Sequence, residues 1–146
     1  MERVLILAGV ALAVALLAVA ARALARRRRR QAHALPTEEV WEALSTAPDG
    51  RPAVVAFSTP SCAACYTAQK PALVQLERQT EGAVRVLEVD AAERPEVARR
   101  FGVLTVPSTA VLDASGRVTA LNNGFAPTSR LAEQVGLKIP AETRPW

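Results

Sequence analysis

The 146-residue sequence predicts one α/β domain, a central mixed β-sheet flanked by helices, preceded by one N-terminal transmembrane helix. Three observations lead there. An uncharged apolar run, Val4 to Ala21, opens the chain and is followed by a cluster of arginines. Further along, two apolar strand-like runs are joined by a helix-like stretch, which makes those strands parallel with a right-handed crossover. Later, two short apolar runs meet at Asp113-Ala114-Ser115-Gly116, a hairpin signal that adds antiparallel strands.

The opening run has eighteen residues without a charge. As a helix it spans roughly 27 Å at 1.5 Å per residue, close to a bilayer's hydrocarbon thickness. Only Arg3 precedes it, partly offset by Glu2, whereas Arg22 and Arg26 to Arg30 follow. A cleaved secretory signal carries its charge on the other side. The expectation is an uncleaved anchor over residues 1–25 with a basic flank over 26–30. Because arginine-rich flanks stay in the cytoplasm, the predicted location is the cell membrane, single-pass, with a cytoplasmic domain. The formal net charge of +4 belongs to this segment, since the rest of the chain carries 12 basic and 14 acidic residues. The arginines lack interleaved aromatics, so the lipid bilayer is the expected partner and nucleic acid is not.

Residues 31–36 read as a linker in which His33 is solvated. The domain spans 37–138. Thr37 is placed to cap a short helix, with Glu38 and Glu39 in its first turn and Val40, Trp41 and Leu44 on one face. Pro48-Asp49-Gly50 is a turn. Ala53 to Phe57 is a continuously apolar strand, of the kind buried on both sides of a sheet. A helix follows from Ala63 to Thr80, kinked by Pro71. A second strand covers Ala83 to Val89 and is closed by Asp90. A helix from Pro95 to Phe101 stops at Gly102. Strand Ser108 to Leu112 turns through Gly116 into strand Val118 to Leu121, and Asn122-Asn123-Gly124 is a further turn. Thr128 caps a last helix reaching about Val135, with Leu131 and Val135 inward. Residues 139–146 form a tail. Aromatics make up only 4% of the chain, so the core is aliphatic.

Cys62 and Cys65 are the only cysteines. Two cysteines do not make a disulfide-rich scaffold, and with the single histidine they make at most three ligands, so a four-ligand zinc site needs a carboxylate or a second chain. Their strand-to-helix position puts Cys62 at a helix start and Cys65 one turn further in. Spacing of i, i+3 lets the sulfurs meet on one side of the helix. Free N–H groups and the helix dipole stabilise a thiolate at Cys62. Cys62 is thus the expected nucleophile and Cys65 the resolving thiol.

The sequence resembles the thioredoxin family over about residues 37–136. The likeness rests on the Cys62-Ala63-Ala64-Cys65 motif after an apolar strand and on Val89-Asp90. It also rests on Phe101-Gly102-Val103, on Thr105-Val106-Pro107-Ser108-Thr109 and on the glycines Gly116 and Gly124. With its anchor, the chain looks like membrane-tethered bacterial thioredoxin-like proteins. The resemblance implies a thioredoxin-like fold and thiol–disulfide oxidoreductase activity. It implies protein disulfide substrates, an electron donor or acceptor, and no cofactor beyond the Cys62–Cys65 disulfide. It implies a cis peptide at Pro107 that turns the Val106 backbone toward the cysteines, where an extended substrate can pair with it. Thr105, Val106, Pro107 and Ser61 are the expected substrate-binding residues.

The chain departs from the family pattern at several places. Ser61 stands where a tryptophan is usual, and Ala63-Ala64 replaces glycine-proline. Ala56 stands at the position of a buried acid, and Val86 at that of a lysine partner. Pro71 comes one residue late. No general base for Cys65 is evident, and the absence of a histidine between the cysteines favours a reductase. Two other functions fit the same residues: an outward-facing enzyme of disulfide exchange or cytochrome maturation, and a non-enzymatic docking module.

Overall fold

The computed structural model describes residues 1–33 and 35–137. The chain divides into two compact units, Met1–Arg30 and Gln31–Trp146. Helix α1 runs Glu2–His33, so residues 31–33, expected as linker, are helical. Among the described residues no helix is long and apolar enough to cross a membrane. Within the anchor expected over 1–25, the side chains at 2–6, 8 and 25 lie outside those residues. The side chain of His33 and the expected tail at 139–146 also lie outside them.

The second unit holds a four-stranded sheet in the order β2-β1-β3-β4. The strands are β1 (Ala53–Ser58), β2 (Arg85–Asp90), β3 (Ser108–Leu112) and β4 (Val118–Asn123). β1 pairs parallel with β2 and antiparallel with β3, which pairs antiparallel with β4. The sheet is mixed, as expected. Strand β1 is central, which explains why every residue from Ala53 to Phe57 is apolar and buried.

Alternation along β1 divides the core in two. Ala53, Val55 and Phe57 pack with Val40, Trp41 and Leu44 of the α2 segment (α2, Thr37–Ala43) and with Val97, Ala98 and Phe101 further along the chain. Val54 and Ala56 pack with Leu73 and Leu76 of α3 (Lys70–Gln79) and with Leu131 and Ala132. Helix α4 is Pro95–Arg100 and α5 is Thr128–Gln134. Helices therefore cover both faces. Phe57 and Phe101 meet with ring centroids 5.4 Å apart.

Glycine is needed at two of the turns. Gly102, at φ 71°, ends α4 while its N–H donates to Arg99 O and that of Val103 to Ala98 O. Gly116, at φ 84°, leaves no room for a Cβ against Trp41 and Thr37.

Several boundaries differ from expectation for identifiable reasons. The N-cap positions belong to Pro36 and Pro127, and neither Thr37 nor Thr128 caps its helix. The Thr128 hydroxyl donates instead to Ala72 O at 2.9 Å. Asn122 and Asn123 continue β4 rather than turning. Asn122 sits opposite Thr109 and donates from Nδ2 to the Thr109 hydroxyl at 3.0 Å. Strand β2 begins at Arg85 because the Ala83 N–H still closes a turn onto Thr80 O.

Candidate active site

The site grows from the end of β1. After Ser58 the chain turns through Thr59-Pro60-Ser61, closed by the Cys62 N–H donating to Thr59 O at 3.1 Å. A helix then starts at Ala63. Cys62 and Cys65 are joined in a disulfide with their Cα atoms 5.3 Å apart. The Cys65 N–H donates to Cys62 O at 3.1 Å and lies 3.2 Å from Cys62 Sγ, so a backbone donor points at that sulfur. The two cysteines are not equivalent. Cys62 is partly exposed, whereas Cys65 is 5% exposed. Of the two, Cys62 is the more open to solvent.

The helix carrying them is not uniform. Residues Cys65–Gln69 form a π-helical turn before α3 begins. This turn lies just ahead of Pro71, where the sequence predicts a kink. A proline nitrogen cannot donate to the carbonyl four residues back, and the ladder widens upstream, with the Lys70 N–H bonding Cys65 O. The Thr67 hydroxyl donates to Ala63 O at 3.0 Å, filling an acceptor in the first turn.

Gln69, 3% exposed, fixes this turn to the loop before α5. Its Nε2 donates to Ala126 O at 3.1 Å, and its Oε1 accepts from the Ala126 N–H at 2.9 Å. That loop in turn holds the segment before β3, because the Gly124 N–H donates to Pro107 O at 2.8 Å.

Ser108 pairs with Phe57 across β1 and β3. The antiparallel register brings Thr105-Val106-Pro107 to the same end of the sheet as Thr59 to Cys62. The Val106–Pro107 peptide is cis. The Ser108 hydroxyl donates to Thr105 O at 2.6 Å. Thr105 is exposed, Val106 half-buried and Pro107 buried. Ser61, Cys62 and Cys65 thus share one turn, and Thr105 to Pro107 lies at the same sheet end. Large apolar side chains stand exposed on adjoining segments: Tyr66 next to Cys65, Leu104 next to Thr105, and Phe125 next to Gly124.

Behind Cys65 is a cavity of about 20 Å³, lined by Ala56, Cys65, Gln69, Lys70 and Glu88 among others. Lys70 and Glu88 form an ion pair at 3.9 Å. The sequence reading missed both. Glu88 is opposite Ala56 in the parallel pairing, so a strand register was the missing signal.

The carboxyls held below their usual range lie elsewhere. Asp49 is held there chiefly by the Arg51 guanidinium bonded to it. At Asp113, burial raises the value, but hydrogen bonds from Ser115 and Arg117 outweigh it. Both are turn residues. Among the described residues, no group of three or more His, Cys, Asp and Glu side chains is placed to hold a metal ion.

The comparisons agree with this geometry. The family model described as Thioredoxin matches residues 34–136. Thioredoxin of Bacillus subtilis is 30% identical over 79 residues, which is 54% of this chain and 74% of that protein. Thioredoxin of Synechocystis is 28% identical over 81 residues, 56% of this chain and 74% of that one. Among solved structures, chloroplastic thioredoxin z superposes with a TM-score of 0.55 at 22% identity, covering 70% of this chain and 88% of that one. A variant thioredoxin from Halobacterium salinarum gives 0.55 at 22% identity, covering 64% and 81%. These two likenesses concern the fold, whereas the family match spans most of the chain. With a strand-to-helix disulfide at the end of a mixed sheet, the chain belongs to the thioredoxin family of thiol–disulfide oxidoreductases.

Proposed function

We propose that this enzyme is tethered to the cell membrane and reduces protein disulfides on the cytoplasmic side, with Cys62 as nucleophile and Cys65 as resolving thiol. The observation that carries the assignment is the inequality of the two sulfurs. Cys62 is accessible and faces a backbone N–H donor, while Cys65 is buried one turn in. A charge-assisted N–H···S contact and a helix start both favour thiolate at Cys62.

The reaction then runs in two displacements. The Cys62 thiolate attacks one sulfur of a substrate disulfide, forming a mixed disulfide and expelling the other substrate sulfur as thiolate. Cys65 attacks Cys62 Sγ, forming the intramolecular disulfide and releasing the second substrate sulfur. Two electrons pass to the substrate, and an electron donor must restore the dithiol. The redox-active disulfide is part of the protein, so no cofactor is required. The backbone of Val106 is suited to pair with an extended substrate as an added strand, with Thr105 next to it in the chain and Ser61 at the same end of the sheet.

The tether reading rests on the uncharged run from Val4 to Ala21 and the arginines after it. Its support in the folded chain is that Leu7, Val10, Leu12, Leu16, Leu17 and Val19 of α1 are all exposed. Lipid is the solvent that suits such a surface. Two experiments test the proposal. Insulin-disulfide reduction by the full chain in detergent is expected to vanish in Cys62→Ser, and unchanged activity contradicts the assignment. A membrane-impermeant thiol reagent on intact cells should leave Cys62 unlabelled, and labelling without lysis refutes the cytoplasmic placement.

A further inference from the structure

Resolution requires Cys65 to lose a proton, yet this thiol is 5% exposed. Burial disfavours the thiolate and keeps bulk water from the sulfur. The proton therefore needs an internal route. The carboxylate that shares a cavity with Cys65 is that of Glu88, and the cation beside it is Lys70. We propose that Glu88, paired with Lys70, is the proton-relay residue for Cys65, acting through water in the cavity between them.

Three features of the structure support this. Glu88 lies opposite Ala56 in the β1–β2 register, so its side chain leaves the sheet on the face that α3 covers. The cavity, about 20 Å³, has room for about one water, and the polar groups around it can hold one. Glu88 and Lys70 have side-chain exposures of 58% and 54%. A carboxylate at the mouth can take a proton from inside and pass it to solvent. The ion pair to Lys70 holds it beside the cavity. In the step itself, the S–H bond of Cys65 breaks and the cavity water passes a proton to the Glu88 carboxylate. The new thiolate attacks Cys62 Sγ, the Cys62–Cys65 bond forms, and the electron pair of the broken mixed disulfide leaves on the substrate sulfur. Glu88 then returns to carboxylate by losing its proton to bulk water.

This inference rests on the assignment of Cys62 as nucleophile and Cys65 as resolving thiol, and one experiment separates the two. The reduced full chain in detergent is mixed with 5,5′-dithiobis(2-nitrobenzoate) in a stopped-flow instrument. Attack by Cys62 releases one nitrothiobenzoate, and resolution by Cys65 releases a second. Glu88→Gln keeps the size of the side chain and is expected to slow the second phase about tenfold at neutral pH, less than the roughly hundredfold or more of a base in direct contact, because a water intervenes. The variant's second phase should then rise steeply with pH, while that of the wild type is nearly flat. The first phase should stay within about twofold, which also shows that the variant is folded. Glu88→Asp should restore part of the second-phase rate. A second phase in Glu88→Gln with the wild-type rate and pH profile overturns the relay. A first phase that persists in Cys62→Ser overturns the assignment of the cysteines instead.

Discussion

Replacing Gln69 by methionine should destabilise the domain by about 3 kcal/mol. The substitution keeps side-chain volume, so the cost is polar. Gln69 is buried and makes two hydrogen bonds with one residue, donating to Ala126 O and accepting from its N–H. Methionine can replace neither. Ala126 is fully buried, so both of its backbone groups lose their partner at about 1–3 kcal/mol each. The adjacent cavity of about 20 Å³ gives water a partial route in, which holds the sum toward the lower half of that range. For a domain of this size, a loss of about 3 kcal/mol lowers the melting temperature by more than about 10 °C. Urea titration of the full chain in detergent, followed by tryptophan fluorescence with Trp41 buried in the core, measures it. Thr128→Val serves for comparison, because it removes one hydroxyl, shared between Ala72 O and Gln75 Oε1, and should cost about 1 kcal/mol. If Gln69→Met came within about 1 kcal/mol of wild type, the clamp between the cysteine-bearing turn and the loop before α5 would not hold the site together.

Gly116→Ala should cost about 3 kcal/mol, from left-handed backbone at φ 84° plus the collision of a Cβ with Trp41 and Thr37. Gly50→Ala, at φ 79° with open space around it, should cost only about 1 kcal/mol. Equal melting temperatures for the two variants would contradict the close packing of the hairpin on Trp41. Asp113 has a folded-state pKa below its unfolded value, so its stabilisation is present above about pH 4 and is lost as pH falls through the folded value. Asp113→Asn should therefore be less stable than wild type at neutral pH, by about 1 kcal/mol or less, with the gap closing in acid. A gap that widened in acid would reverse the sign of that argument.

Much of this was legible because it is local. The buried run Ala53 to Phe57 reads as a central strand from composition alone. The Pro95 and Gly102 signals bracket α4, and Asp113 to Gly116 announces a hairpin. Cys62 and Cys65 announce their chemistry by spacing, and the cis bond before Pro107 followed from the family resemblance. What sequence could not give depends on partners far along the chain. The Thr128 hydroxyl looked like a cap, but a carbonyl 56 residues earlier takes it. Asn122 looked like a turn residue, but Thr109 and Gln134 hold it in β4. Pro71 predicted a bend but not the π turn by which the helix absorbs it. The loss of an acid at Ala56 was visible, whereas the carboxylate opposite it on β2 emerges only once Ala56 and Glu88 are known to be in register.

The most direct test of the mechanism is to trap its covalent intermediate. Cys65→Ser should hold a stable mixed disulfide between Cys62 and a disulfide-bearing protein, visible on a non-reducing gel and mapped to Cys62 by peptide mass. Cys62→Ser should trap none. A mixed disulfide carried by Cys65, or equal trapping by both variants, would contradict the division of labour between the exposed and the buried sulfur.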